Sequence, residues 1–169
     1  MSVSAPTILI VDDEAQNRRL LAVLLRPEGY HTESVASGAE ALSAIAESAP
    51  DLILLDIMMP GIDGYQVAAI LKSNPATANI PIIMVTAHGE RGARLAGLSA
   101  GAEEFLTKPV DRTELWLRVR NLLRLKAFGD LQEHSFVLEK QVAARTADLQ
   151  RFRTAMDATA DAILSLIHI

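Results

Sequence analysis

Five side chains, each set directly after a short apolar run, hold most of the chemistry this sequence can offer. Asp12 and Asp13 follow Thr7-Ile8-Leu9-Ile10-Val11, and Asp56 follows Asp51-Leu52-Ile53-Leu54-Leu55. Thr86 follows Pro81-Ile82-Ile83-Met84-Val85, and Lys108 follows Glu104-Phe105-Leu106-Thr107. Three carboxylates gathered within a few ångströms repel by about 4 kcal/mol per close pair at an effective dielectric near 20, so they need a counter-charge. A divalent cation bound through oxygens supplies it, and Mg²⁺ suits a site with few carboxylates that keeps waters and a phosphate among its ligands. In such a site a carboxylate oxygen of Asp56 can attack phosphorus in line, giving an acyl phosphate. Lys108 would then neutralise one phosphoryl oxygen and Thr86 would hydrogen-bond another, which is positioning plus electrostatics.

The elements that bring these residues together follow from hydrophobic pattern. The four runs read as buried strands, and His31-Thr32-Glu33-Ser34-Val35 reads as a weaker, half-exposed one. Helical patterns lie between them over Glu14 to Leu25, Gly38 to Ser48, Tyr65 to Lys72, Arg91 to Ala100 and from Arg112 onward. Strands alternating with helices predict a parallel sheet covered on both faces, a doubly wound α/β domain whose ligands bind at the carboxyl ends of the strands. Gly29 and Gly101 stand where helices should stop, and Pro27, Pro50, Pro75 and Pro81 fall at element boundaries. Asp13 with Gln16 also forms a capping-box pattern for the first helix, a role compatible with metal binding. Pro60-Gly61-Ile62-Asp63-Gly64 is a loop that can rearrange when Asp56 changes charge.

Composition narrows the class. The chain has 169 residues, half of them apolar, with a formal net charge of -5 and no cysteine. It is long enough to bury a full core, while disulfides, thiolate metal sites and thiol catalysis are excluded. Met1-Ser2-Val3-Ser4 lacks the features of a signal peptide and no segment approaches a membrane span, so a cytoplasmic location without membrane attachment is expected. The acidic balance argues against direct nucleic-acid binding. His31, His134 and His168 have no partners at metal-ligand spacing and are expected on the surface.

Asp12-Asp13, Asp56 within Leu54-Leu55-Asp56-Ile57-Met58-Met59-Pro60-Gly61, Thr86-Ala87 and Lys108-Pro109 together resemble the receiver domain of bacterial two-component response regulators. The resemblance covers about the first three-quarters of the chain. It implies a flavodoxin-like five-stranded parallel sheet of order 2-1-3-4-5. Asp56 is then the phosphoacceptor that takes a phosphoryl group from a sensor histidine kinase or phosphotransfer protein. Asp13 and Asp56 would ligate Mg²⁺ directly, with the Met58 backbone carbonyl as a third ligand and Asp12 acting through water. Thr86 would be the switch hydroxyl, Phe105 the coupled aromatic switch residue and Lys108 the phosphate-binding lysine. A cis bond before Pro109 is implied, as is a small residue at Ala87 where phosphate enters. Met58 and His88 flank the site where the family tunes phosphoryl lifetime. Such a receiver assists its own phosphorylation and dephosphorylation and is not otherwise an enzyme.

Beyond about Asn121 the last helical pattern meets no stop signal except Gly129. Phe128, Leu131, Leu138, Val142, Leu149, Phe152, Met156 and Ile163 recur at alternating three and four spacing, with Ser135, Arg145 and Thr159 in the same register. A stripe sustained over about five heptads signals a coiled coil, and a homodimer through this helix is expected, parallel by inference. Leu138 to Leu149 resembles connector helices that join signalling modules, and Arg151 to Ile163 resembles the entry to a PAS sensory domain. The expected division is a receiver at 1–125, a coiled-coil linker at 126–153 and the start of a further PAS-like module, truncated, at 154–169.

The expected function is a phosphorylation-dependent signalling receiver whose state alters the geometry of the final helix. Two readings share its fold: a receiver-like dimerisation scaffold that is never phosphorylated, and a flavodoxin-like cofactor binder, whose first loop needs hydroxyls and amides rather than two acids. A haloacid-dehalogenase-like Mg²⁺-dependent phosphatase also uses Asp, Thr and Lys, but places its second acid two positions after a nucleophile on the first strand, which adjacent Asp12-Asp13 does not match.

Overall fold

Apolar runs with no polar side must be covered on both faces, and this requirement sets the architecture. The computed structural model describes residues 3–87 and 91–168, so His88 lies outside the described residues. In chain order the elements are β1 (Thr7–Val11), α1 (Ala15–Leu25), a 3₁₀ turn (Arg26–Glu28), β2 (His31–Val35), α2 (Gly38–Glu47), β3 (Leu52–Asp56), α3 (Gly64–Ser73), β4 (Ile82–Thr86), α4 (Arg91–Ala100), β5 (Glu104–Thr107) and α5 (Arg112–Ile167). The sheet has the expected order β2-β1-β3-β4-β5, with every pair parallel. By contact density the chain forms two units, Met1–Lys126 and Ala127–Ile169.

Alternation along each strand divides the core of the first unit in two. Leu9, Ile53, Leu55, Ile82, Met84 and Phe105 meet Ala41, Ile45, Val67 and Leu71 from α2 and α3 on one face. Ile8, Ile10, Leu52, Leu54, Ile83 and Leu106 meet Leu21, Leu25, Leu115, Val119 and Leu122 from α1 and α5 on the other. Fully burying one such aliphatic side chain contributes about 1.5–3 kcal/mol. β2 pairs only with β1 and is largely exposed, as an edge strand with polar alternation should be.

Several element ends have identifiable causes. The 3₁₀ turn stops at Gly29 and α4 at Gly101, both with positive φ (82° and 94°), a conformation other residues rarely adopt. Asp63 caps α3 in a reciprocal capping box with Gln66. The Asp13-Gln16 capping box does not form: Glu14 is the N-cap of α1 and makes no side-chain cap bond, while the Asp12 carboxylate accepts the Glu14 N–H at 2.9 Å. Away from the site, Lys72 Nζ donates to the Ala78 and Ile80 carbonyls and to Glu103, which also accepts the Ile82 N–H. Trp116 Nε1 donates to the Leu24 carbonyl at 2.7 Å, tying α5 to α1, and the Arg112 guanidinium lies 4.0 Å from the Trp116 ring centroid.

α3 approaches the end of β3 through Gly64. A Cβ there would lie 2.8 Å from Ile57 Cα and nearer still to the Asp56 carbonyl oxygen, both backbone atoms of a buried segment. Gly129 is within α5 and a Cβ there would meet nothing. Gly64→Ala should therefore lower stability by about 1–3 kcal/mol through overpacking, whereas Gly129→Ala should raise it by about 0.5–1 kcal/mol through helix propensity. Urea unfolding of both variants checks the opposite signs.

Candidate functional site

Parallel strands β1, β3, β4 and β5 all end at one edge, and their last residues and the loops beyond them supply the site. Asp56 and Thr86 are the final residues of β3 and β4 rather than the first loop residues, because the ladder continues through them: Asp56 pairs with Val85 and Thr86 with Thr107. Asp12 follows β1, with its N–H bonded to the Val35 carbonyl. Lys108 follows β5, and its N–H donates to the Thr86 carbonyl at 2.7 Å. The Lys108–Pro109 bond is cis.

Asp12, Asp13 and Asp56 each present a carboxylate oxygen within 4.8 Å of the others. Asp12 and Asp56 are buried, with 1% and 5% of their surface exposed, while Asp13 faces solvent. Lys108 Nζ donates to Asp12 Oδ2 at 3.0 Å and to Asp56 Oδ1 at 3.3 Å. Three carboxylates against one ammonium leave a formal charge of -2 in a space of a few ångströms. That surplus, an all-oxygen donor set and one exposed member fit a hard divalent cation such as Mg²⁺, which keeps several waters and needs few carboxylates.

The electrostatics follow from this crowding. Burial, then the Asp12 charge, pushes the Asp56 carboxyl up to about 6, against the opposing pull of Lys108. Burial pulls Lys108 down, but its bond to Asp12 and the charge of Asp56 outweigh that and hold the ammonium above its ordinary value. Both effects keep the lysine charged and Asp56 poised to exchange a proton for a cation.

The other expected site residues divide into two groups. Thr86 is buried at the same sheet edge, and Met58 lies two residues past Asp56 in the β3–α3 loop with its side chain exposed. Phe105 is buried in the middle of β5, paired with Met84, away from the carboxylates. α4 closes over its ring at Gly97, where a Cβ would collide with the ring and with the Met84 sulfur. Three supporting residues escaped sequence reasoning. Asn17 Nδ2 donates to Asp12 Oδ1 at 3.4 Å, Arg18 Nη1 donates to the Asp12 carbonyl at 2.7 Å, and Gly97 gives the ring its seat. A signal for the first two was available: five and six residues after Asp12, they fall in the opening turns of the helix that starts beside it.

A carboxyl whose pKa is raised by folding favours the fold below its unfolded value of 3.8, and that contribution is lost as pH rises through about 6. Without divalent cations, Asp56→Asn should therefore be more stable than the wild type above about pH 7, by up to about 3 kcal/mol. The difference should close toward pH 4, and millimolar Mg²⁺ should narrow it at neutral pH. Urea unfolding across pH with and without Mg²⁺ measures both.

Comparison with known proteins agrees with this geometry. Residues 8–120 match the family described as Response regulator receiver domain. The response regulator PleD of Caulobacter vibrioides is 48% identical over 123 residues, which cover 73% of this chain and 27% of PleD. The phosphate regulon transcriptional regulatory protein PhoB of Pseudomonas aeruginosa is 44% identical over 124 residues, 73% of this chain and 54% of PhoB. The signal receiver domain of a signal transduction histidine kinase from Syntrophus aciditrophicus superposes with a TM-score of 0.67 at 37% identity, covering 71% of this chain and 91% of that one. The chain thus spans about a quarter to a half of the length of the two curated relatives, and the family match over 8–120 takes in Asp12, Asp13, Asp56, Thr86 and Lys108. On this match the chain belongs to the response regulator receiver domain family.

Proposed function

We propose that Asp56 accepts a phosphoryl group from the phosphohistidine of a sensor histidine kinase or phosphotransfer protein, and that the resulting change at the sheet edge is passed on through α5. The observation that carries this reading is the convergence of Asp56 with Lys108 at 3.3 Å and with oxygens of Asp12 and Asp13 within 4.8 Å. Asp12, Asp13 and Asp56, with the Met58 carbonyl, would hold Mg²⁺, which when bound supplies charge neutralisation for the incoming phosphoryl group. An Asp56 carboxylate oxygen forms the new bond to phosphorus as the donor's P–N bond breaks. The electron pair of that bond returns to the imidazole nitrogen. Lys108, freed from its share of Asp56, turns its ammonium to a phosphoryl oxygen, and the Thr86 hydroxyl serves a second one.

Phosphorylation adds about -1.5 to -2 charges where a carboxylate stood. Lys108 and Thr86 reward only the conformation that brings them to the new oxygens, so that conformation gains population. Phe105 is buried on β5 with its ring seated against Gly97 of α4, which supports its role as the switch aromatic. The described residues contain no helix long and apolar enough to cross a membrane, in keeping with a phosphoryl donor met from the aqueous side.

Intact-mass measurement after incubation with acetyl phosphate and Mg²⁺ tests the assignment. Wild type should gain one phosphoryl group and Asp56→Asn none, and chelation of Mg²⁺ should abolish the gain. Lys108→Ala should slow the reaction by about 10²-fold, the usual cost of losing one charge-stabilising donor. Failure of the wild type to be modified, or modification of Asp56→Asn, would overturn it and leave a receiver fold acting as a scaffold.

A further inference from the structure

In the second compact unit, Ala127–Ile169, the described residues are helical through Ile167 as part of α5, and no second helix or strand of that unit is among them. Its apolar stripe from Phe128 to Ile163 is left open, with the eight large side chains between 47% and 70% exposed. Taking Phe128 as position a and Leu131 as position d of a heptad, the stripe occupies a and d throughout, interrupted only by Ser135, Arg145 and Thr159. A seven-residue repeat held for five heptads is the pattern of a helix covered by another helix. The Thr159 hydroxyl already donates to the Ala155 carbonyl at 2.9 Å, so burying it leaves no orphaned donor.

We infer that the covering helix is the same segment of a second copy of the chain, lying parallel and in register. The flanking charges carry the choice of partner and of direction. In a parallel pair, position g of one helix meets position e of the next heptad on its partner. That rule sets Asp148 against Arg153 and His134 against Glu139, each combination occurring twice by symmetry. Of the two antiparallel registers that overlap the stripes, the one setting Leu131 against Ile163 places Asp148 beside its own copy, and neither brings Asp148 to Arg153. Arg145 is a cost, since two guanidinium groups share a layer. Asp148 lies one turn further along each helix, and a single charged layer also penalises slipped registers. An anionic membrane surface is a poorer occupant, because six acids and four bases lie between residues 127 and 163 and no basic face borders the stripe.

The test is made on the full chain without a phosphodonor, so it stands or falls independently of the chemistry at Asp56. Light scattering should show a dimer at micromolar concentration, and Leu149→Asp should make it monomeric with the receiver's thermal transition retained. Asp148→Arg should weaken dimerisation by about fivefold or more, and Asp148→Arg combined with Arg153→Asp should restore it. The absence of cysteine makes Leu138→Cys a clean reporter, forming an interchain disulfide under mild oxidation only where the two copies run parallel. A monomeric wild type, a dimer indifferent to Leu149→Asp, or a dimer without the Leu138→Cys crosslink would overturn the inference.

Discussion

Like charges held together at one end of a parallel sheet are the constraint on which the rest of this receiver depends. Asp12 and Asp56 are buried and share one ammonium, that of Lys108, while Asp13 adds a third carboxylate from the solvent side. The lysine cannot satisfy all three, and burial raises the proton affinity of Asp56 instead. Within the free protein the site is therefore under-compensated, and it gains most from ligands that bring positive charge or redistribute the negative. A rigid, well-neutralised cluster would be more stable and would have no reason to respond.

Holding such a cluster demands a scaffold that does not yield. Four adjacent strands end at the same edge, and the buried ones have no polar face through which they could shift toward solvent. The loop beyond β3 is pinned where α3 packs onto the Asp56 backbone at Gly64, with the Asp63–Gln66 capping box fixing the entry of that helix. On the first strand, Arg18 binds the Asp12 carbonyl and the Glu14 N–H takes one of its carboxylate oxygens. Asp12 is thus fixed from several directions while one oxygen still faces Lys108. Rigidity at the backbone with mobility left to the charges is what pre-organisation of a phosphoryl site requires.

Much of this was legible in the chain because buried parallel strands leave so plain a record. β1, β2 and β5 fall on the residues their hydrophobic pattern marks, and the five chemical positions stand at the expected edge. β3 and β4 are displaced by one residue, since apolarity marks burial while the ladder marks hydrogen bonding, and polar Asp56 and Thr86 still find partners on neighbouring strands. The Asp13-Gln16 pattern misled because α1 begins one residue later than that pattern marks: Glu14 is its N-cap, and the Asp12 carboxylate accepts the Glu14 N–H. The role of Gly97 could not be read from sequence at all. A glycine in a helical pattern signals lost propensity, and only the seat of the Phe105 ring explains why no larger residue fits there.

The contact between Trp116 and α1 has a practical side. It is the only tryptophan in the chain, its indole N–H is bonded to the Leu24 carbonyl and its ring carries the Arg112 guanidinium. Indole emission shifts with polarity and is quenched by nearby charge, so this single ring is a natural optical gauge of how α5 sits on α1. Any event at the sheet edge that loosens that seat becomes visible as fluorescence in the unlabelled protein, on the timescale of the event itself.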